Sequence, residues 1–296
     1  MPLYTIRHET TYRYADPVAL SHQALHLEPL TSETQECLHF ALDIHPAPPD
    51  LAVRRDYFGN RVHYFTLTEP HQELRIHAAS QVTVTPSPVP LFAGSTACGE
   101  LHAWLENSSD SAAHLARQFL YESPYIPRLP ALADFSQRFF APDRPALHSV
   151  LNLCSGIHRQ FIFSPGATTS ATPLEEFFQQ GRGVCQDFAH LAIACLRATG
   201  LAARYVSGYL LTEPPPGQRR LIGADASHAW ASVYLPDAGW VDFDPTNNCL
   251  CAERHISIAR GRDYGDVSPV RGTVTGGGEH ALFLGVTVTP ATDQNP

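Results

Sequence analysis

"GRGVCQDFAH", running from Gly181 to His190, sets a cysteine after a glycine-flanked turn and directly before a stretch with helical periodicity. Val184, Phe188, Leu191, Ala192, Cys195 and Leu196 recur at three- and four-residue spacing and Gly200 follows as a stop signal, so the pattern predicts a helix with Cys185 in its first turn. At that position unpaired backbone N–H groups and the positive end of the helix dipole stabilise a thiolate. Gly183 lets another segment approach closely. The plainer alternative is a small apolar residue packed beneath the loop, and a helix start alone does not decide between the two.

A nucleophilic cysteine needs an imidazole to take its proton and a carboxylate or amide to hold that imidazole. "DASHAWASVYL" offers His228 at the start of a strand, and "GWVDFDPTNN" offers Asp242 and Asp244 on the next. Each is weak alone, because a histidine beside tryptophan is commonly packed and an aspartate before proline commonly caps a turn. Their joint occurrence after Cys185 is the stronger signal.

Composition narrows the classes. The chain has 296 residues, long enough for a sizeable core and about two domains. A net charge of -9, from 20 Lys+Arg against 29 Asp+Glu, argues against nucleic acid or an anionic membrane surface as partner. No apolar stretch approaches the roughly 20 residues that span a bilayer, and "MPLYTIRHETTYRY" lacks a signal-peptide pattern, so the expected compartment is the cytoplasm. The cysteines (Cys37, Cys98, Cys154, Cys185, Cys195, Cys249 and Cys251) are odd in number and scattered, a poor disulfide framework. "CLCAERH" (Cys249, Cys251, His255) lacks the paired spacing of zinc sites, and the 16 histidines contain no H-E-x-x-H. Neither metal nor cofactor is expected.

Along the chain, "YTIRHETTYRY", "LHFALDIHP", "RVHYFTLTE" and "SQVTVTP" alternate with period two, predicting a β-sandwich or barrel over residues 1–90. "DYFGN" (Asp56 to Asn60) is the tight turn between two of its strands, and "PSPVP" (Pro86 to Pro90) reads as a stiff linker. "AAHLARQFLYE" and "LHSVLNLCSGIHRQF" read as helices, after which alternation returns in "AARYVSGYLL", "HAWASVYL" and "GWVDFDP". Residues 91–258 are thus expected to be a catalytic core in which a helical layer packs on an antiparallel sheet, and residues 259–296 an extension ending in the strand "ALFLGVTVTP", packed on the core or the N-terminal domain. The fold class is α+β.

"GRGVCQDFAHL", "SHAWASVYLPDAGWVDFDPTN" and "FIFSPGATTSATPLEEFF" together resemble the core of the bacterial transglutaminase-like superfamily, which is related to the papain-like cysteine proteases. The alternating first part with "DYFGN" resembles the N-terminal region that often precedes this core, and "GRDYGDVSPVRG" the segment that often follows it. The resemblance implies a nucleophile at Cys185, its histidine at His228 and the acidic third member at Asp244. Asp187 matches the acidic residue two positions after the nucleophile, in a structural or orienting role. Gln186 and Trp230, beside the reactive positions, are expected as supporting residues. The implied chemistry is acyl transfer through a thioester, with the Cys185 backbone N–H as an oxyanion donor. The expected partner is a peptide or protein substrate carrying an amide. Water as acceptor makes the protein a protease or amidase, the expected outcome, and a primary amine makes it a transglutaminase. An inactive scaffold or protein-binding module is the reading of a different class.

Register chooses between the two aspartates. A four-residue loop over "PDAG" would pair Leu235 with Trp240, setting His228 and Asp244 on opposite faces. An odd-length loop centred on Asp237 restores a shared face. It places Trp230 opposite Asp244 with His228 one diagonal step away, and moves Asp242 a further two residues off, opposite Ser232. Asp244 is therefore expected on His228, and Asp242 elsewhere.

Overall fold

Alternation along the first 85 residues is realised as antiparallel strands: β1 (Leu3–Leu25), β2 (Gln35–His45), β3 (Leu51–Arg55), β4 (Arg61–Leu67) and β5 (His71–Val84), in the order β2-β5-β1-β4-β3. This computed structural model describes residues 1–85, 96–212 and 227–291, so the expected linker Pro86 to Pro90 lies outside the described residues. The period-two pattern has its physical outcome in β5, where Leu74, Ile76, Ala78, Val82 and Val84 all point inward.

The helical layer comprises α1 (Cys98–Asn107), α2 (Ser111–Arg117), α3 (Pro130–Gln137), α4 (Ala146–Gln160), α5 (Leu174–Gln180) and α6 (Cys185–Ala198). Two short parallel strands, β6 (Ile162–Phe163) and β7 (Arg182–Gly183), flank α5, and β7 leads directly into α6. A second antiparallel sheet follows. It contains β8 (Ala203–Leu210), β9 (Ser227–Leu235), β10 (Gly239–Asp244), β11 (Cys249–Leu250) and β12 (His255–Gly261), in the order β11-β10-β9-β8-β12. After the single turn α7 (Tyr264–Val267), β13 (Val270–Gly276) and β14 (His280–Pro290) return to pair with β1, closing the chain onto the curled N-terminal sheet. The chain is thus an α+β fold, with the helical layer on an antiparallel sheet.

Strands β8 and β9 are buried almost end to end. Both faces are covered. On one side Ala203, Tyr205, Ala229, Ala231 and Val233 pack with Phe188, Leu191, Ala192 and Cys195 of α6. Towards the end of β8 and along β12, Tyr209, Ile256 and Ile258 meet Tyr4, Ile6, Val82 and Val84 of the N-terminal sheet and Val286 and Val288 of β14. Each fully buried side chain of this size contributes roughly 1.5–3 kcal/mol.

Helix α6 differs from the one-faced helix that its periodicity predicts. Every residue from Gln186 to Arg197 is buried, because α3, α4 and α5 cover the side facing away from the sheet. Its buried polar residues are satisfied internally. His190 Nε2 accepts the Tyr264 N–H at 3.1 Å, and burial pushes its imidazole down to about 3. The Arg197 guanidinium donates to the carbonyls of Phe119, Ala203 and Arg262. Among the described residues, no helix is long and apolar enough to cross a membrane.

Two side-chain amides fix the N-terminal sheet to β12. Gln35 accepts from the Ser257 N–H at 2.7 Å and donates to its carbonyl at 2.8 Å. Asn60, the last residue of the "DYFGN" turn, does the same for Arg260, at 2.9 and 2.8 Å. Asp56 holds that turn from within, accepting from the Asn60 N–H at 2.8 Å and from its side chain at 2.7 Å.

Candidate active site

Helix α6 begins where β7 ends, and the junction is held by Asp187. Its Oδ2 accepts the backbone N–H of Val184 at 2.8 Å and the Thr168 hydroxyl at 2.6 Å, satisfying an orphan donor at the helix start. Burial raises the Asp187 carboxyl above its ordinary value against the pull of those hydrogen bonds. Gly183 is required by the same contact. A Cβ there would lie 2.4 Å from Asp187 Oδ2 and 2.7 Å from the Phe177 ring. Cys185 is left half-buried in the first turn, its neighbours fixed on either side.

Strands β9 and β10 bring the imidazole and the carboxylate together. Gly239 pairs with Leu235, so Pro236, Asp237 and Ala238 form the expected odd-length loop, and Asp242 lies opposite Ser232. His228 Nε2 lies 2.6 Å from Asp244 Oδ2. Asp242 accepts instead from the Trp230 indole N–H at 3.0 Å. With Nε2 directed at Asp244, Nδ1 is the nitrogen left to face Cys185, whose side chain is near enough to raise the His228 pKa. Burial alone would lower the His228 pKa. The hydrogen bonds with Asp244 and Cys185, and the charges of both, outweigh it and hold the imidazole up at about 10. The opposite balance holds for Asp244, where burial would raise the carboxyl but hydrogen bonds from His228 and His255, the His228 charge and Asn247 keep it well below the ordinary carboxylate range.

Five donors converge on Asp244. Oδ1 accepts the backbone N–H groups of Thr246 and Asn247 at 2.9 and 3.1 Å, and Oδ2 accepts the Asn247 side chain at 2.6 Å besides His228 and the more distant His255 Nε2 at 3.2 Å. Asn247 has no role in the sequence reading, and His255 enters it only in the rejected zinc pattern with Cys249 and Cys251. Asn247 has a local signal, since "DPTN" is an aspartate-capped turn with the amide three residues on. His255 has none. It comes from β12, on the far side of β8, where Gly208 leaves room for the Trp230 ring: a Cβ at Gly208 would lie 2.3 Å from it.

The remaining candidates separate by contact. Gln186 Nε2 donates to the Ser170 carbonyl at 3.3 Å, so its amide is directed at the loop before α5. Trp230 is fully buried, with its ring edge-on to His255 at 5.2 Å between centroids. Tyr205, buried on β8, is close enough to Cys185 for the thiolate charge to add to the burial that raises its hydroxyl.

His228, Asp244 and His255 also place three donor atoms within 4.8 Å of one another, a span that a metal ion could bridge. The hydrogen bonding argues otherwise. His255 Nδ1 accepts the Ala252 N–H at 3.4 Å, which leaves the proton on the Nε2 that faces Asp244, and His228 Nε2 is likewise directed at that carboxylate. A cation there would have to displace both protons.

Residues 4–83 match the bacterial transglutaminase-like N-terminal region, and residues 133–245 match the transglutaminase-like superfamily. An uncharacterized protein of Mycobacterium tuberculosis is 42% identical over 293 residues, covering 97% of this chain and 92% of its own. A Pseudomonas aeruginosa protein-glutamine gamma-glutamyltransferase is 32% identical over 122 residues, covering 40% of this chain and 18% of its own. The crystal structure of a candidate cysteine protease from Cytophaga hutchinsonii superposes with a TM-score of 0.75 at 21% identity, covering 100% of this chain and 93% of that one, a likeness of fold. On these matches the chain belongs to the transglutaminase-like superfamily, its core preceded by the bacterial transglutaminase-like N-terminal region.

Proposed function

We propose that this protein is a cysteine-dependent acyl-transfer enzyme that hydrolyses a peptide or isopeptide-like amide through a thioester on Cys185. The observation that carries the reading is the position of His228, hydrogen-bonded through Nε2 to Asp244 and near enough to Cys185 for that side chain to raise its pKa. Family membership supports it independently. Cys185 Sγ, as thiolate, attacks the amide carbon, and the oxyanion is met by the Cys185 backbone N–H at the helix start. His228 Nδ1–H gives its proton to the departing amine as the C–N bond breaks. A water molecule then gives a proton back to Nδ1 and attacks the thioester, releasing the acid and restoring thiolate and imidazolium. Asp244 holds the ring in the orientation that both transfers need.

Hydrolysis is favoured by the half-exposed position of Cys185, which water can reach. The second reading, transfer to a primary amine, is favoured by the matched segment of the Pseudomonas glutamyltransferase. Both use the same three side chains. Seven free thiols support a reducing compartment such as the cytoplasm.

The test is incubation with glutamine-bearing and branched peptides, with and without a primary amine, read by mass spectrometry against the Cys185→Ala variant. Cleavage or a one-dalton gain by deamidation identifies hydrolysis, and an amine adduct identifies transfer. If no product depends on Cys185, the scaffold reading replaces both.

A further inference from the structure

Ile162 and Phe163, the two residues of β6, are 60% and 51% exposed. Scattered apolar residues on a surface are ordinary, so the position of this pair, and not its exposure, is what matters. Strand β6 runs parallel to β7, with Ile162 opposite Arg182 and Phe163 opposite Gly183, and Cys185 lies two residues beyond Gly183. Paired residues on neighbouring strands share a face, and consecutive residues alternate between faces. A Cβ at Gly183 would point at Asp187 and Phe177, so its partner Phe163 stands on the face where α6 begins. Ile162 stands with Arg182 on the other face. A strand separation of about 4.8 Å and a rise of about 3.3 Å per residue set the Phe163 backbone roughly 8 Å from that of Cys185, a span of two to three extended residues.

This wall is held in place from both ends. The Phe161 ring, one residue before β6, packs on Phe177 and Phe188 at 5.2 and 6.5 Å between centroids. The loop after β6 is tied twice to the first turn of α6, by the Thr168 hydroxyl on Asp187 at 2.6 Å and by the Gln186 amide on the Ser170 carbonyl at 3.3 Å. The surface therefore keeps its position relative to Cys185 before anything binds, which lowers the ordering cost of binding. Strand β6 also offers backbone. The N–H groups of Ile162 and Ser164 donate to the carbonyls of Gly181 and Gly183 at 2.9 and 2.8 Å. The N–H and carbonyl of Phe163, between them, are thus directed to the edge of β6 that no strand pairs among the described residues. An extended peptide along that edge gains main-chain hydrogen bonds while its alternate side chains meet Phe163.

We propose that Phe163 forms an apolar subsite next to Cys185, which receives an aliphatic or aromatic side chain of an extended peptide substrate within about three residues of the reacting amide. Action on a peptide rests on the acyl-transfer reading above; the preference for an apolar side chain is what Phe163 adds.

Alkylation of Cys185 in the full chain by N-benzyl iodoacetamide and by iodoacetamide tests the subsite without turnover. The ratio of the two rates, read by peptide mapping and divided by the same ratio on glutathione, is expected to be roughly fivefold or more, the effect of partly burying one aromatic ring. Phe163→Ser should bring it to near one, as should Phe163→Gln if the serine variant does not fold. Ile162→Ser, on the opposite face, should leave it in place. A ratio near one in the parent, or a ratio unchanged by the Phe163 variants, overturns the subsite. So does an equal slowing of both reagents, which is the mark of a structural role. Loss of the ratio in Ile162→Ser alone overturns the assignment of the face. With glutamine-bearing peptides, Leu or Phe two residues from the glutamine is expected to lower KM by roughly fivefold or more relative to Glu, and only in chains that carry Phe163. If no peptide gives a Cys185-dependent product, the enzymatic reading fails, and the alkylation ratio still decides the subsite.

Discussion

His228 Nε2 lies 2.6 Å from Asp244 Oδ2, while Asp242, two residues earlier on the same strand, is turned to the Trp230 indole. The His228 value of about 10 stands above its ordinary 6.5, so the stability from its imidazolium is fully present below about 6.5 and lost as pH rises through about 10. Asp244, lowered, contributes above the ordinary carboxylate value and loses its contribution as pH falls through its depressed one. The pair is therefore charged across the neutral range. Asp244→Asn should lower turnover by roughly 10²- to 10⁴-fold and move the alkaline limb of the kcat/KM profile down from near 10 toward 6.5. Asp242→Asn, which keeps an oxygen for the indole, should leave the limb in place. A profile unchanged by Asp244→Asn would remove that residue from the mechanism.

Cys185 should alkylate first. Burial pushes Cys37 and Cys249 up to about 11 and Cys154 and Cys195 up to about 12, it raises Cys251 well above the ordinary thiol value, and Cys98 is buried. Cys185 is half-exposed at a helix start beside His228, where the reagent can reach it. Peptide mapping after brief iodoacetamide treatment near pH 6 checks this. Faster labelling at any other position contradicts the nucleophile assignment.

Gly183→Ala is expected to damage both stability and activity. Its methyl group would meet Asp187 Oδ2 at 2.4 Å and Phe177 at 2.7 Å, displacing the carboxylate that caps α6. A loss of roughly 1–3 kcal/mol in unfolding free energy is expected, as for other overpacked sites. Thermal melting and Cys185 labelling of the same sample measure the two effects, and unchanged labelling would show that the cap does not position the thiol.

His255 should matter through Asp244 and not through substrate. Its Nε2–H is one donor to a charged carboxylate, a bond worth roughly 1.5–3 kcal/mol. His255→Leu should therefore lower kcat roughly tenfold or more with little change in KM, and His255→Gln, which can still donate, should recover part of the loss. Equal losses in the two variants would indicate packing against Trp230 as its role.

Much of this molecule is written locally. Period-two runs gave β1, β4 and β5; the three- and four-residue spacing after Cys185 gave α6; and parity across "PDAG" was enough to prefer Asp244 to Asp242, because side chains on a strand alternate and an odd loop preserves the face. What the sequence could not supply depends on segments that meet only after folding. The burial of α6 on all sides requires α3, α4 and α5 to close over it. The return of β13 and β14 to β1 joins residues some 250 positions apart, and no periodicity encodes which edge a strand will choose. His255 reaches Asp244 from across β8 only because β8 and β12 are neighbours. Local pattern fixes which residues share a face of one element, since that follows from backbone geometry. Which elements share a side-chain cluster is decided by the packing of buried surface, and so belongs to the tertiary structure.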